Sequence, residues 1–557
     1  MASERSPLLD DSDVPTSRPE PENTNSSVSR TRRIREVALF SWALIATAGV
    51  IVLAVFAHHK QQTGHRSPPS KYHDKRNLVF MVSDGMGPAS LSLTRSYRQH
   101  VEGLPINDTL SLDRHFWGTS RTRSSSSLVT DSAAGATAFS CARKSYNGAI
   151  SVTPDYEPCG SVMEAAKAAG YTTGLVVTTS LTDATPATFA SHVLFRAEED
   201  SIAEQEVGEG VLGRVVDLML GGGRCHFLPN STEGSCRLDD VDVTKIATEK
   251  HGWSYTDNRD GFDALGMGDS VDLPFLGLFA PYNIPFELDR QKQNDVYPSL
   301  SEMAKTALRA LGKATKDSDK GFFLMIEGSR IDHAGHINDP AAQVREVLEY
   351  DRAFQAVLDF IEESDTETVL VATSDHETGG LATALQEPGH LPVYGWYPQA
   401  LQDASASCEF LAAKILDHAT SSGKSGDKLK SWIDEHVIVP GLGINDATDD
   451  ELSLLAAQPE TAISILAAMI SLRAHVGWST HGHTAVDVNV YSSGNVDAVG
   501  AIRGNVENID VGRFLHEWLD VDVRAVTKIL KEKMKMPNDM TIELVKEQME
   551  QFESRLY

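Results

Sequence analysis

The 557-residue sequence predicts an α/β protein in which a mainly parallel central sheet is sandwiched by helices, preceded by one transmembrane helix. Short runs that are almost continuously apolar and rich in β-forming residues recur along the chain, and helix-like stretches such as 341–363 separate them. Strands that are apolar throughout are typical of a parallel sheet buried on both faces. One long uncharged run near the N-terminus predicts the membrane span.

The N-terminal region is predicted to anchor the chain in a membrane. Residues 1–36 are mostly polar, which predicts a disordered tail, and they end in the basic cluster 30–35. The uncharged run 37–57 follows, and its length suits a helix that crosses a bilayer. A cleaved signal peptide usually starts nearer the first residue and has a shorter apolar region, so we interpret the run as an uncleaved signal anchor. The preceding positive charges place the tail in the cytosol and the remaining chain in the lumen.

Short motifs suggest where this single-pass type II protein resides. Glu4, Leu8 and Leu9 resemble an acidic dileucine signal, which a sorting adaptor would bind, and this indicates the vacuole membrane. Asn107 and Asn230 begin glycosylation sequons on the expected lumenal side.

Charge and cysteine content narrow the class of protein. The formal net charge of −28 argues against a nucleic-acid partner but allows a small phosphorylated substrate at a locally positive site. Five cysteines are too few for a disulfide scaffold. In an oxidising lumen we expect the disulfides Cys141–Cys159 and Cys225–Cys236, with Cys408 free; buried free thiols are the alternative.

The lumenal part is expected to hold one folded domain over 77–522, after a polar, basic linker over 58–76. We expect an insertion on the sheet at about 385–475 and a charged helical tail over 523–557. The strand candidates are 77–83, 171–179, 215–220, 322–326, 368–373 and 486–491.

Acidic residues and histidines cluster at the ends of these strand candidates. Carboxyl ends of parallel strands meet at one edge of a sheet, where sites form in such folds. One Asp or His there is usually a cap or turn residue, but mixed oxygen and nitrogen donors in this number suit zinc and magnesium. The candidates are Asp84, Glu327, Asp332, His336, Asp375, His376 and His481.

Two further segments suit an anion. Ser132 follows Asp131 at a predicted helix start, where backbone N–H groups favour negative charge, although either residue could simply cap the helix. Asp183 and Thr185 begin another helix, and Arg196, about three turns later, could bind two phosphate oxygens.

Together these motifs resemble those of the alkaline phosphatase family, in the family's order, across residues 77 to about 515. The tail and anchor further resemble the fungal vacuolar members. The matching segments are VSDGMG (82–87), TDSAA (130–134), DATPA (183–187), EGSRIDHAGH (327–336), SDH (374–376) and THG (480–482).

The resemblance implies an alkaline phosphatase-like fold and hydrolysis of phosphate monoesters at alkaline pH, with a broad substrate range, through a phosphoserine at Ser132. Arg196 would bind the phosphate, Asp131 would orient Arg196 or Ser132, and the protein would be a homodimer. Two Zn²⁺ and one Mg²⁺ are implied per chain. Their implied ligands are Asp332, His336 and His481 for one zinc; Asp84, Asp375 and His376 for the other; and Glu327, Thr185 and Asp84 for magnesium, with Asp183 acting through water.

One position departs from part of the family, because Asp183 accompanies His333 where other members pair Asp with Lys or His with His. The identity of the third metal, the pH optimum and the role of His333 therefore stay open. His483 is interpreted as a neighbour of the site and not as a ligand.

Three other functions stay possible at this point. They are a phosphodiesterase of the same superfamily, an inactive vacuolar scaffold, and a metal-free serine hydrolase. A sulfatase is excluded, because the residues after Ser132 lack the required C/S-x-P-x-R context.

Overall fold

The computed structural model describes residues 75–423 and 425–534, together with 35, 37–42 and 46–47. Contacts divide the chain into two units, residues 1–73 and 74–557. The described residues of the first unit are helical and exposed. Most of the predicted tail, anchor and linker, including Glu4, Leu8 and Leu9, lies outside the described residues.

A ten-stranded sheet forms the centre of the second unit, and two short strands pair beside it. The strands are β1 (Arg76–Val82), β2 (Phe116–Arg121), β3 (Thr172–Ser180), β4 (Leu218–Gly222), β5 (Ser254–Thr256), β6 (Phe275–Leu278), β7 (Phe322–Glu327), β8 (Glu367–Thr373), β9 (Glu377–Thr378), β10 (His483–Thr484), β11 (Val488–Ser493) and β12 (Gly504–Glu507).

The order in the sheet is β12-β2-β11-β8-β1-β7-β3-β4-β6-β5, while β9 pairs with β10. Only β11 runs antiparallel to its neighbours, β8 and β2, among the described strands of this sheet. This confirms the predicted α/β fold with a mainly parallel sheet. The six strand candidates correspond to β1, β3, β4, β7, β8 and β11; the remaining strands were not predicted.

Both faces of the central strands are buried, which explains their continuous apolar character. Val79 and Met81 of β1 belong to an apolar cluster that includes the facing helix residues Leu311 and Phe354. Phe80, between them, points to the opposite face, where its ring lies 5.3 Å from that of Phe139.

Twenty α-helices lie in the described part of this unit. They are α1 (Pro88–Glu102), α2 (Ser111–Arg114), α3 (Ser132–Cys141), α4 (Val162–Ala168), α5 (Ala184–Ala190), α6 (Glu199–Glu204), α7 (Val243–Lys245), α8 (Arg259–Asp263), α9 (Glu287–Arg290), α10 (Leu300–Ala314), α11 (Arg330–His336), α12 (Pro340–Glu363), α13 (Pro398–Asp403), α14 (Cys408–Ser422), α15 (Asp427–Ile433), α16 (Asp449–Ala457), α17 (Ala462–Ala474), α18 (Val496–Val499), α19 (Asn508–Leu519) and α20 (Val523–Lys533). Short 3-10 turns (Arg224–Phe227, Gly266–Gly268, Pro459–Thr461, Gly500–Ile502) and π-helical turns (Gln205–Glu209, Ile246–Lys250, Asp434–Leu442) complete the set.

Helices α13 to α17 form a helical region with an apolar cluster of its own, which includes Leu411 and Leu466 and packs on Tyr97 of α1. No single helix among the described residues is long and apolar enough to cross a bilayer. Two consecutive helices, Asp449–Ala457 and Pro459–Ala474, are together long and apolar enough for a membrane span. They are bent by 105° relative to each other, and their buried apolar residues belong to this cluster.

The two ends of the described domain are held by specific contacts. β1 begins at Arg76, which was expected in the linker and which pairs with Glu367 of β8. Its guanidinium donates to the Trp518 carbonyl at 2.8 Å and lies over the Trp518 ring. At the other end, Val526 and Leu530 of α20 pack on Ala165. Residues 535–557 of the predicted tail lie outside the described residues.

The cysteines form one bridge, not the two that were expected. Cys225 and Cys236 are disulfide-bonded, whereas Cys141, Cys159 and Cys408 are free and buried. The expected Cys141–Cys159 bridge is wrong for this structure, because the Cys141 thiol donates to the Cys159 backbone carbonyl at 2.9 Å.

Candidate active site

Four neighbouring parallel strands bring acidic residues to one edge of the sheet. In the order β8, β1, β7, β3, their carboxyl ends are followed or closed by Asp375, Asp84, Glu327 and Asp183. The strands run parallel and in register, so these residues meet above the sheet although they are far apart in sequence.

The first cluster consists of Asp84, Asp375 and His376, whose donor atoms lie within 4.8 Å of one another. His376 Nε2 is 3.0 Å from Asp375 Oδ2 and 3.6 Å from Asp84 Oδ1. The same nitrogen lies 3.1 Å from Ser132 Oγ at the start of α3. All four residues are buried, so the hydroxyl of Ser132 faces a set of potential metal ligands.

The second cluster consists of Asp332, His336 and His483. His336 Nε2 lies 3.3 Å from Asp332 Oδ2 and 3.1 Å from His483 Nε2. His483 Nε2 is in turn 3.5 Å from Asp332 Oδ1. Two histidine nitrogens and a carboxylate therefore converge on one point.

The structure corrects the expected third member of this set, because His483 and not His481 joins it. β10 begins at His483, which pairs with Thr378 of β9, and this register stacks the His483 ring on His376 at 3.5 Å. His481 lies in the preceding turn, is exposed, and donates from Nδ1 to the His336 carbonyl at 2.8 Å.

Hydrogen bonds fix which ring nitrogen each of these histidines leaves free. The Nδ1 atoms of His336 and His483 contact the carbonyls of His481 and Thr130, and a carbonyl only accepts, so each Nδ1 carries the proton. Each neutral ring then leaves its Nε2 lone pair free for a cation.

Thr378 performs the same task for His376. Its hydroxyl donates to Asp332 Oδ1, and it therefore accepts from His376 Nδ1 at 3.2 Å. His376 Nε2 is left as the free donor, so these bonds suit the three histidines to metal binding.

The charge balance also fits bound cations. Asp84 Oδ1 and Asp375 Oδ2 are buried and accept no hydrogen bond from the described residues. Burial, together with the neighbouring carboxylates, raises the pKa of Asp84 well above its usual range. Burial likewise raises the pKa of Glu327 to about 8. Carboxylates crowded in this way need divalent cations to stay ionised near neutral pH.

The residues expected for magnesium are adjacent but less tightly gathered. Glu327 Oε2 accepts from Ser329 Oγ at 2.6 Å. Asp183 Oδ1 caps α5 at Ala184 N and accepts from Arg196 Nη2 at 2.7 Å. No group of converging donors includes Glu327 or Asp183 among the described residues.

Arg196 and Asp131 lie where a phosphate above Ser132 would need them. Asp131 caps α3 through Ala134 N at 3.0 Å, and its other oxygen lies 3.4 Å from Arg196 Nη1. Burial opposes the charge of Arg196, but the carboxylates of Asp183 and Asp131 raise its pKa. A cavity of about 700 Å³ opens here, lined by Ser132, Arg196, His333 and members of the second cluster.

Sequence reasoning assigned no role to Thr378 or Arg330, and it placed His483 beside the site but not among the candidate ligands. The roles of His483 and Thr378 depend on a two-residue β-pairing between distant segments, which has no periodicity to detect. Arg330, whose Nε donates to His333 Nδ1 at 3.3 Å, lies inside a quoted motif, but no role was predicted for it.

Comparison with known proteins agrees with this geometry. The family model for alkaline phosphatase matches residues 75–521. The repressible alkaline phosphatase of Saccharomyces cerevisiae is 51% identical over 92% of this chain and 93% of its own length. The alkaline phosphatase of Schizosaccharomyces pombe is 46% identical over 96% and 94%, respectively.

A solved structure shares the fold as well. The cold-active alkaline phosphatase of Shewanella sp. is 30% identical, with a TM-score of 0.66 over 80% of this chain and 99% of that chain. The motif resemblance is thereby confirmed. This chain belongs to the alkaline phosphatase family, whose activity is the hydrolysis of phosphate monoesters.

Proposed function

We propose that this phosphatase works through a phosphoserine formed on Ser132. One observation carries the proposal: Ser132 Oγ lies 3.1 Å from His376 Nε2, inside a buried set of metal-ligand side chains. Ser132 is also the first residue of α3, so the helix N-terminus faces the same cavity that Arg196 lines.

The metal centre proposed for this site has two zinc ions and one magnesium ion. The family is metal-dependent. Asp84, Asp375 and His376 would hold one zinc, and Asp332, His336 and His483 the other. The oxygen donors of Glu327, Thr185 and Asp84 suit magnesium, with Asp183 beside them. When bound, such ions lower the pKa of the attacking hydroxyl and stabilise charge on the leaving oxygen.

The protein side chains then perform an in-line displacement. Ser132 Oγ gives up its proton and forms a bond to phosphorus while the bond from phosphorus to the ester oxygen breaks, and that oxygen takes up a proton as the alcohol leaves. Arg196, held by Asp131, donates to the equatorial phosphate oxygens. Water then attacks phosphorus and loses a proton, the Ser132 oxygen leaves and takes up a proton, and inorganic phosphate is released.

The cavity also indicates which esters the site accepts and whether a phosphodiester would fit. The cavity lined by Ser132 and Arg196 has a volume of about 700 Å³, and this room supports a broad range of leaving groups. Arg196 and the start of α3 are placed to contact the free oxygens of a phosphate monoester. In a diester one of these oxygens carries a second organic group, which would lose this contact, so the site favours monoesters.

The test is hydrolysis of p-nitrophenyl phosphate at alkaline pH by the full chain in detergent with zinc and magnesium. We expect turnover that EDTA abolishes and that Ser132→Ala lowers by about a thousandfold or more. Ser125→Ala, at an exposed serine of the preceding loop, is the matched control and should retain wild-type turnover. Full activity in Ser132→Ala would refute the nucleophile, and turnover restricted to a bis-ester would favour the diesterase.

The cellular setting is a further part of this proposal. A cytosolic tail with Glu4, Leu8 and Leu9, the anchor 37–57, and the exposed sequon residues Asn107 and Asn230 support a glycosylated type II protein of the vacuole membrane. A sorting adaptor on the tail and a homodimeric lumenal domain belong to the same proposal. Unchanged delivery after replacing Leu8 and Leu9 with Ala would refute the sorting signal, and a monomeric mass would refute the dimer.

A further inference from the structure

Arg330 is a buried cation beside the active site that the proposed reaction does not use. It lies at the start of α11, two residues before Asp332. Its side chain is 4% exposed, and its guanidinium lies 3.7 Å from the centre of the Phe286 ring. A charged group so deeply buried needs fixed partners.

The fixed partner of Arg330 comes from the helical region. Arg330 Nη2 lies 2.7 Å from Glu409 Oε2, and Nη1 lies 3.3 Å from Glu409 Oε1, which is a forked, two-point contact. Nη1 also donates to the Ile284 carbonyl at 3.2 Å. Glu409 belongs to α14, so this ion pair ties the helical region to the helix that carries Asp332 and His336.

The remaining guanidinium nitrogen determines the proton position on His333. Arg330 Nε donates to His333 Nδ1 at 3.3 Å. An arginine Nε–H cannot accept and does not deprotonate, so His333 Nδ1 must be the acceptor. The single ring proton of neutral His333 then lies on Nε2, on the opposite side of the ring, and His333 lines the cavity above Ser132.

We propose that Arg330, anchored by Glu409, is a positioning residue that holds His333 as an Nε2–H donor toward the substrate phosphate. The inference rests on the proposed function, because it needs a phosphate in that cavity. The helical region then supports phosphate binding, because a substitution at Glu409 alters the position of Arg330 and, through it, the proton position on His333.

A double-mutant cycle in the metal-loaded full chain tests the chain of contacts. Glu409→Gln keeps the side-chain shape but removes the charge that fixes Arg330, and it avoids a drastic change at the buried arginine. We expect it to raise KM for p-nitrophenyl phosphate and Ki for inorganic phosphate about fivefold, with kcat within about twofold. In a His333→Ala background the same change should alter neither constant by more than about twofold, because the group it positions is gone.

The matched control is Glu451→Gln. Glu451 lies in the same helical region and is also bound at two points by an arginine, Arg473, at 2.9 and 3.1 Å, and it accepts from Thr448 N of that same region. It should leave KM, Ki and kcat unchanged. Equal effects of Glu409→Gln with and without His333, or the same effect from Glu451→Gln, would show a general structural role and overturn the proposal.

A second readout does not depend on turnover. In ¹⁵N-histidine-labelled protein, His333 Nδ1 should resonate as an unprotonated ring nitrogen and Nε2 as a protonated one, and Glu409→Gln should mix the two tautomers. A protonated Nδ1 in the wild type would overturn the proposal. A different result would refute the proposed function itself: wild-type protein with bound zinc would show no turnover that depends on Ser132.

Discussion

Replacing each of two nearby histidines tests whether His483, which the geometry favours, or His481, which the motif favours, belongs to the proposed zinc site. His483→Ala removes a nitrogen that lies 3.1 Å from His336 Nε2 and 3.5 Å from Asp332 Oδ1. His481→Ala removes an exposed ring that donates to the His336 carbonyl. The two residues are two positions apart and carry the same side chain, so each is the control for the other.

The expected magnitudes differ strongly. Loss of a residue that only supports a ligand typically costs 10- to 100-fold in metal affinity or activity. Loss of one of three protein ligands should cost more, so we expect kcat/KM of His483→Ala to fall by about a thousandfold, or about 4 kcal/mol. His481→Ala loses one ordinary hydrogen bond, worth about 1 kcal/mol, and should fall by about fivefold.

The assay combines kcat/KM for p-nitrophenyl phosphate with zinc content measured by mass spectrometry after dialysis against a fixed zinc concentration. His483→Ala should retain about one zinc fewer than wild type and should regain part of its activity as zinc is raised. His481→Ala should keep the wild-type zinc content. The assignment is refuted if His481→Ala loses zinc and activity while His483→Ala retains both.

Three further predictions concern stability. Cys225→Ser should lower the free energy of unfolding by about 3 kcal/mol, because its disulfide closes a short loop, while Cys141→Ser should change it by less than about 1 kcal/mol; denaturant titration checks both. His192 is paired with Glu164 at 2.7 Å, and although burial opposes its charge, Glu164 raises the pKa of His192 to about 9. This pKa exceeds the unfolded value, so the pair stabilises fully below about pH 6.5, and up to about 3 kcal/mol is lost as the pH rises through 9. Unfolding of wild type and His192→Gln should therefore converge with rising pH, and a constant difference would contradict the assignment. Gly512→Ala would place a Cβ 2.3 Å from a backbone carbonyl of α3, so it should cost about 2 kcal/mol and lower turnover; unchanged thermal unfolding would contradict this.

The acidic residues of the site were predictable because their positions follow from local sequence. Asp84, Glu327 and Asp375 each come at or just after an apolar run of strand length. Parallel strands that are buried on both faces leave no choice about which edge holds their carboxyl ends. Once the apolar runs are interpreted as parallel strands, Asp84, Glu327 and Asp375 are expected at the same edge of the sheet.

The parts that were not predictable depend on pairing between distant segments. β12 pairs with β2 at the edge of the sheet, and β2 alternates between buried and partly exposed residues, so neither strand has a continuous apolar run. β10 has two residues, too few for any periodic signal, yet its pairing with Thr378 places His483 against His336 and Asp332. Cys141 illustrates the same limit, because sequence proximity cannot show that a thiol points to a carbonyl.

The charge of the site explains why its metals should matter for binding as well as for chemistry. A phosphate monoester carries about two negative charges at alkaline pH, and Arg196 is the cation of the described residues that lines the cavity near Ser132. One guanidinium that is already paired with two carboxylates cannot offset the acids around it, so the metal-free site should repel the substrate that it is shaped to hold. Chelation should therefore weaken the binding of inorganic phosphate at equilibrium as well as stop turnover. The acids that would cause this repulsion are Asp183, Asp332 and Asp375, joined by Asp84 and Glu327 once the pH exceeds their raised pKa values.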